Sequence, residues 1–372
     1  MRRISRIHEL ADWPRLRWDQ EKLANALTSV RLNQGRLIGH MEALGFQLQQ
    51  EAVLRTLTED VVKSSDIEGE KLDPDQVRSS IARRLGIDIG GLGSTDRTVE
   101  GVVEMTLDAT RNYSEPLTAE RLFSWHTLLF PTGRTGPHPI RVGSWRDDGS
   151  GPMQVVSGPV GRERVHYEAP PAEKVASEMS AFFDWFNSEK GGPDALLKAA
   201  LSHFWFVAIH PFDDGNGRIA RAIADLALAR SEGSSQRFYS MSAQIRRERR
   251  EYYAILERTQ TLDVTPWMEW FMGCLGRSIE ASHATLSTAL GKARFWQMHG
   301  ALPANERQRL MINRLLDGFE GKLTTSKWAK LARCSADTAL RDITDLVERG
   351  VLARNAGGGR STSYALVAER RG

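Results

Sequence analysis

Cysteine is nearly absent from this chain: Cys274 and Cys334 are the only two in 372 residues. They lie too far apart for a metal-ligand spacing, which excludes a disulfide framework and fits a reducing, cytoplasmic setting. No apolar run reaches the roughly 18 residues that a spanning helix needs, so no membrane partner is expected. The basic opening Met1-Arg2-Arg3-Ile4-Ser5-Arg6-Ile7-His8 leads into no apolar stretch, so a secretory leader is not expected either. A net charge of +3 is too small to demand a nucleic-acid partner. No GxxxxGK[ST] run occurs, which removes a P-loop mechanism. What remains, 41% hydrophobic and 26% charged residues, describes an ordinary globular protein. The length predicts two or three domains.

The informative stretch is His210-Pro211-Phe212-Asp213-Asp214-Gly215-Asn216-Gly217-Arg218-Ile219-Ala220-Arg221. Leu197, Leu201, Phe204 and Ala208 before it recur at helical spacing. Pro211 should end that helix at His210. A second helix opens near Gly217, with Ile219, Ile223 and Leu226 as its apolar stripe and Gly233 as its stop. A helix N-terminus offers free N–H groups and positive potential to an anion. Gly215 and Gly217 would let the backbone approach phosphate oxygens, and Asn216 would add an amide donor. Arg218 and Arg221 share a helix face and supply guanidinium forks. Asp214 is a hard oxygen ligand suited to Mg²⁺ beside phosphates. His210 suits a base that takes a proton from an attacking hydroxyl. Phe212 reads as core.

The same stretch resembles, at every fixed position, the Fic family signature His-x-Phe-x-(Asp/Glu)-Gly-Asn-Gly-Arg-x-x-Arg. The resemblance implies a protein adenylyltransferase moving AMP from ATP to a Ser, Thr or Tyr hydroxyl. It implies His210 as general base and Asp214 as Mg²⁺ ligand. Gly215, Asn216 and Gly217 are then the α/β-phosphate cradle, and Arg218 and Arg221 the ligands of the β- and γ-phosphates.

Before the signature, Asp19 reads as the cap of a first helix through Leu23, Leu27, Val30, Leu37, Met41 and Leu44, stopped by Gly45. A second helix runs from about Gln47 towards Ser64 and closes a helical hairpin. Its end, Ser64-Ser65-Asp66-Ile67-Glu68-Gly69, resembles the (Ser/Thr)-x-x-x-Glu-(Gly/Asn) inhibitory motif of one Fic subclass. That implies Ser64 and Glu68 as inhibitory residues, with Glu68 on Arg221 in the γ-phosphate position. Further helices are predicted at Asp73–Gly86, 96–113 and 118–130, with His126 in the core. Met153–Val156 and Arg164–Tyr167 predict a hairpin about Ser157–Gly161. By resemblance this is the flap over the active site, which pairs with a target segment. Val156, Ser157 and Gly158 are then placed against the nucleotide. His166 is given no catalytic role. Tyr252, Tyr253 and Gln260 follow as candidate nucleotide contacts, again by resemblance. Arg246, Arg247, Arg249 and Arg250 read as a solvated basic face.

From Asn305 the pattern changes to a helix at 306–317, a short helix capped by Thr325 or Ser326, and another helix at Ala336–Arg349. Two strands then flank Gly357-Gly358-Gly359, an order that resembles a winged helix-turn-helix. Arg333, Arg341, Arg354 and Arg360 would meet phosphates if its partner were DNA, and a partner protein is the equal alternative. The expected fold is mostly α: an N-terminal helical region (1–95), a Fic core with a flap (96–300) and a winged helix (301–372). The expected function is protein adenylylation with ATP and Mg²⁺, autoinhibited by Glu68, acting on a target protein or on the chain itself, with a homodimer compatible with it. Two alternatives stay open: removal of AMP at the same site, and a DNA-binding regulator that senses ATP.

Overall fold

The structure is a computed structural model that describes residues 6–87, 94–149, 151–158, 162, 164–188, 192–298, 305–316, 319, 321–355 and 362–367. The chain forms two compact units, Met1–Ser282 and His283–Gly372. The expected N-terminal region therefore shares one unit with the expected core up to Ser282, residues 283–300 of that core fall in the second unit, and the expected boundary at 300/301 lies outside the described residues.

Helix α1 (Gln20–Glu42) starts where Asp19 accepts hydrogen bonds from the N–H groups of Glu21 and Lys22. Leu23, Val30, Leu37 and Met41 are its buried stripe. Gly45 does not stop this helix but begins α2 (Phe46–Ile67). Helix α2 continues past Ser64 to Ile67, so Ser64 and Glu68 sit on its last turn and its cap. Asp73, Pro74 and left-handed Gly86 bracket α3 (Pro74–Leu85) as cap, first residue and stop. Next come α4 (Arg97–Arg111) and α5 (Ala119–Leu129), where His126 is fully buried. The aperiodic segment after α5 holds a small hairpin, β1 (Arg134–Thr135) with β2 (His138–Pro139).

The hairpin expected around residue 158 is β3 (Gln154–Ser157) paired antiparallel with β4 (Arg164–Glu168), with an irregularity between Val155 and Val156. Its turn residues Pro159, Val160 and Gly161 lie outside the described residues. Helix α6 (Ala172–Asn187) leads into α7 (Ala195–Ile209), which is buried on nearly every face and so forms the centre of the unit. Against it pack α8 (Asn216–Glu232), α10 (Arg249–Arg258) through Tyr252 and α11 (Thr265–Met298) through Trp267, while α9 (Met241–Arg247) packs on α2. Among the described residues no helix is long and apolar enough to cross a membrane.

The second unit holds α12 (Glu306–Leu316), α13 (Thr325–Leu331), α14 (Ala336–Glu348) and the antiparallel strands β5 (Leu352–Arg354) and β6 (Tyr364–Leu366). Trp328, Ile343, Leu346 and Leu352 are in its core. The cap of α13 is Thr324, whose hydroxyl accepts the Lys327 N–H, one residue before the expected position. Gly357, Gly358, Gly359 and Arg360 lie outside the described residues.

Helices α4 and α5 meet at Gly101, where an added Cβ would lie 1.9 Å from the Leu128 carbonyl oxygen. That neighbour is backbone and cannot swing aside. Gly101→Ala is therefore expected to lower stability by about 1–3 kcal/mol despite the gain in helix propensity, measured as a shift of the urea midpoint.

Candidate active site

Helix α7 ends in a strained residue: His210 takes the left-handed conformation at φ 51° and ψ 58°. A non-glycine residue holds that geometry only when its surroundings enforce it. Arg146 does so here. Its Nε donates to the His210 carbonyl at 2.8 Å and its backbone N–H to the Pro211 carbonyl at 3.0 Å. Its guanidinium also donates to Asp148 and to the Pro170 carbonyl. Arg146 lies in a segment without periodicity, so nothing in the sequence marked it.

The turn then closes on itself through Asn216. Its carboxamide accepts the Phe212 N–H at 3.0 Å and donates to the Phe212 carbonyl at 2.7 Å. This corrects the expectation of a side-chain amide donor for phosphate, because the group is buried and spent on the loop. Only the backbone N–H of Asn216 remains for the cradle. Phe212 is core, stacked on His126 with centroids 4.2 Å apart. His126 Nδ1 accepts the Gly143 N–H, so its Nε2 carries the proton and donates to the Asp214 carbonyl at 3.2 Å. A core histidine thus sets the backbone that carries Asp214.

The two glycines do different things. Gly215 sits at φ 80° with the face a side chain would occupy closed by Phe130, 2.8 Å from a built Cβ. Gly217 faces Glu68 instead, whose Oε1 would lie 2.3 Å from a built Cβ. Gly217 is therefore the point where an incoming oxygen can reach the backbone of α8. No side chain caps that N-terminus, so its first N–H groups have no intrahelical partner.

Arg221 is almost fully buried and all three of its nitrogens are used. Nε donates to the Ser64 hydroxyl at 2.9 Å, one terminal nitrogen to the Ser64 carbonyl at 2.9 Å, and the other to Glu68 Oε1 at 2.7 Å. Glu68 Oε2 accepts from the Tyr253 hydroxyl at 3.2 Å. Arg218 pairs with Glu70 at 2.5 Å and lies over the Phe130 ring at 4.9 Å. Glu70 was not singled out from the sequence, since it follows the helix break and belongs to no helical spacing.

The stop of α2 explains why the two carboxylates appear together. The Glu70 N–H bonds to the Ser65 carbonyl at 3.1 Å, and the N–H of left-handed Gly69 to the Asp66 carbonyl at 3.2 Å. This is a Schellman stop with Gly69 at its left-handed position. Arg249 donates to the Ile67 carbonyl at 2.7 Å and Arg246 pairs with Asp66 at 2.6 Å. The basic run is thus not merely solvated, because those arginines satisfy the end of α2.

Of the two tyrosines, Tyr253 meets Glu68 while Tyr252 turns into the core. Tyr252 is 2% exposed, hydrogen-bonded to His203 at 2.9 Å and packed on Trp267 and Trp270. Adjacent helical residues point about 100° apart, so one must enter the core. Tyr252 lies close to Arg221 from within the core. Gln260, two residues past the end of α10, donates to the Leu256 carbonyl. On the hairpin, Val156, Ser157 and Gly158 are exposed. Ser157 donates to His166 Nε2 at 2.6 Å, and His166 Nδ1 donates to Glu257 at 2.9 Å. Arg164 pairs with the same carboxylate. Glu257, also missed from sequence, therefore latches β4 to α10.

His210 Nδ1 lies 3.2 Å from the Val207 carbonyl, which can only accept. The proton is on Nδ1, and Nε2 carries the lone pair. Burial pushes this imidazole down to about 4, with Arg146 adding to the shift; Asp214 and Glu68 are near enough to oppose it. It is neutral at pH 7 and competent as a base. Asp214 accepts from the Gly215 N–H and the Thr135 hydroxyl, both at 2.6 Å, one on each oxygen. Each oxygen keeps a lone pair, and a single oriented carboxylate beside a phosphate site fits Mg²⁺, which keeps waters and phosphate oxygens as its other ligands.

Two outcomes follow. Burial holds His126 near 4, His203 near 3 and His210 near 4. The unfolded chain protonates these imidazoles below about 6.5 while the native one does not, so unfolding takes up protons in that window. Stability should be level above pH 7 and fall between pH 6.5 and 4, by at most about 1.4 kcal/mol per pH unit for each histidine, in urea titrations across pH. Gly69→Ala should cost about 1–2 kcal/mol in the same assay, because an L side chain resists the φ of 90° at the stop.

A family model described as "Fic/DOC family" matches residues 116–228, and one described as a domain of unknown function (DUF4172) matches residues 7–87. The chain is 31% identical over 172 residues to "Protein adenylyltransferase Fic" of Nematostella vectensis, covering 45% of this chain and 34% of that one. It is 30% identical over 152 residues to "Uridine 5'-monophosphate transferase" of Xanthomonas campestris pv. campestris, covering 37% of this chain and 26% of that one. The chain thus spans about a third or less of these curated relatives. The crystal structure of a Fic family protein from Desulfovibrio desulfuricans superposes with a TM-score of 0.52 at 21% identity, over 94% of this chain and 97% of that one. Residues 116–228, from the approach to α5 through the signature and most of α8, are a domain of the Fic/DOC family.

Proposed function

We propose that this protein transfers AMP from ATP to a Ser, Thr or Tyr hydroxyl of a target protein or of itself. The observation that carries the reading is the His210 imidazole: neutral, with Nδ1 committed to the Val207 carbonyl, it offers Nε2 as a base beside the uncapped start of α8. The relatives named as protein adenylyltransferases support AMP as the group moved, and the one named as a uridine 5'-monophosphate transferase makes the nucleobase a point to test.

In this reading the target hydroxyl loses its proton to His210 Nε2 and its oxygen attacks the α-phosphorus in line with departing pyrophosphate. The α8 amides from Asn216 onward, Arg218 and Arg221 hold the phosphates. Asp214 would hold Mg²⁺, which when bound neutralises charge on the phosphate oxygens. Target main chain pairs with the exposed edge of β3, so side-chain identity away from the hydroxyl counts for little. Glu68 stands where a γ-phosphate would meet Arg221 and keeps the resting rate low. The second unit is read as a winged helix that docks DNA or a partner protein.

Incubation of Glu68→Gly protein with α-labelled ATP should place label on the chain or on added proteins. His210→Ala in that background should reduce the rate by about 10²–10⁴-fold while leaving nucleotide binding intact. Excess unlabelled ATP should compete away the label better than UTP. Label lost only from pre-modified protein would point to the reverse reaction, and operator binding without transfer in either direction would sink the enzyme reading.

A further inference from the structure

We infer that Glu70 is a second nucleotide-gating carboxylate, which blocks the Arg218 phosphate position as Glu68 blocks that of Arg221. The inference rests on the proposed function, in which both arginines receive phosphates. Its own ground is geometric. Arg218 has a side chain only 6% exposed, and a buried guanidinium left unpaired is costly. In the resting chain the carboxylate beside it is Glu70, at 2.5 Å, with the Phe130 face on the other side. Arg218 Nε is buried without a partner among the described residues, so the guanidinium is only partly satisfied and has capacity for a further acceptor. A phosphate with several oxygens would satisfy it better than one carboxylate oxygen.

The arrangement is not a chance surface pair, because one backbone device sets both contacts. The Schellman stop bends the chain at left-handed Gly69, and the residues on either side of it, Glu68 and Glu70, meet Arg221 and Arg218. The last turns of α2 are tied down by Arg246 and Arg249 from α9 and α10. A nucleoside triphosphate must therefore displace both carboxylates, and a diphosphate only Glu70. Removing Glu68 alone leaves Arg218 occupied. The end of α2 and the residues just after it, within the region matched as a domain of unknown function, thus act as a double plug on the phosphate site.

Mg·ADP separates the two plugs, because it has no γ-phosphate to meet Arg221. Titration calorimetry with the full chain should show Glu70→Gln tightening Mg·ADP by about tenfold, the worth of one charged hydrogen bond. The effect should vanish when Arg218→Ala is added, and should keep its size in the Glu68→Gly background. In transfer assays Glu68→Gly/Glu70→Gln should show a KM for ATP about tenfold below that of Glu68→Gly, with kcat little changed. Glu70 is 35% exposed, so the amide should be tolerated, and thermal melts check this. Unchanged ADP affinity in Glu70→Gln, or tightening that persists without Arg218, would overturn the second plug even where Glu68→Gly transfers AMP. No nucleotide binding and no transfer in any variant would overturn the proposed function and this inference with it.

Discussion

A buried guanidinium cannot be left without acceptors, and the site is arranged around that constraint. Arg221 lies in the core side of α8, where losing its partners would cost several kcal/mol. The folded chain meets the need with the end of α2, through a hydroxyl, a carbonyl and a carboxylate at 2.7 to 2.9 Å. The regulatory reading of α2 and its structural role are then one interaction. The same contacts that dock α2 on the core also fill the place where the proposed reaction would put phosphate oxygens.

Around that ion pair the protein sets its histidines by burial rather than by charge. His126, His203 and His210 are all driven below their ordinary value chiefly because the charged ring would lose its water. Their roles still differ, because their hydrogen bonds differ. His126 is held between the Gly143 N–H and the Asp214 carbonyl and sets a loop. His203 is sealed in with Tyr252. His210 is held by Nδ1 in a strained residue, which leaves Nε2 as the base of the proposed reaction. Strain at that one residue is sustained from outside the motif by Arg146.

Much of the fold was legible because it rests on local rules. Asp19, Asp73 and Gly86 mark helix ends by capping chemistry that acts within a turn, and they stand at those ends. Ser64 and Glu68 were readable only through their resemblance to an inhibitory motif, and both meet Arg221. Glu70 follows the break and Arg146 and Thr135 sit in aperiodic segments, so no period pointed to them. Tyr252 and Tyr253 are neighbours of one chemical type, and spacing alone could not say which would turn inward.

Residue order by itself determined that a proton acceptor, a carboxylate, two glycines and two arginines would share one interhelical turn. Their separation is short enough for backbone geometry to enforce it. Only the tertiary structure decided what each group faces. Folding brings Phe130, Glu68 and Glu70, all distant in the chain, against that turn. It thereby closes Gly215 with Phe130, opens Gly217 toward Glu68 and gives each arginine its own carboxylate. Such pairings follow from burial and close packing, which no stretch of sequence carries alone.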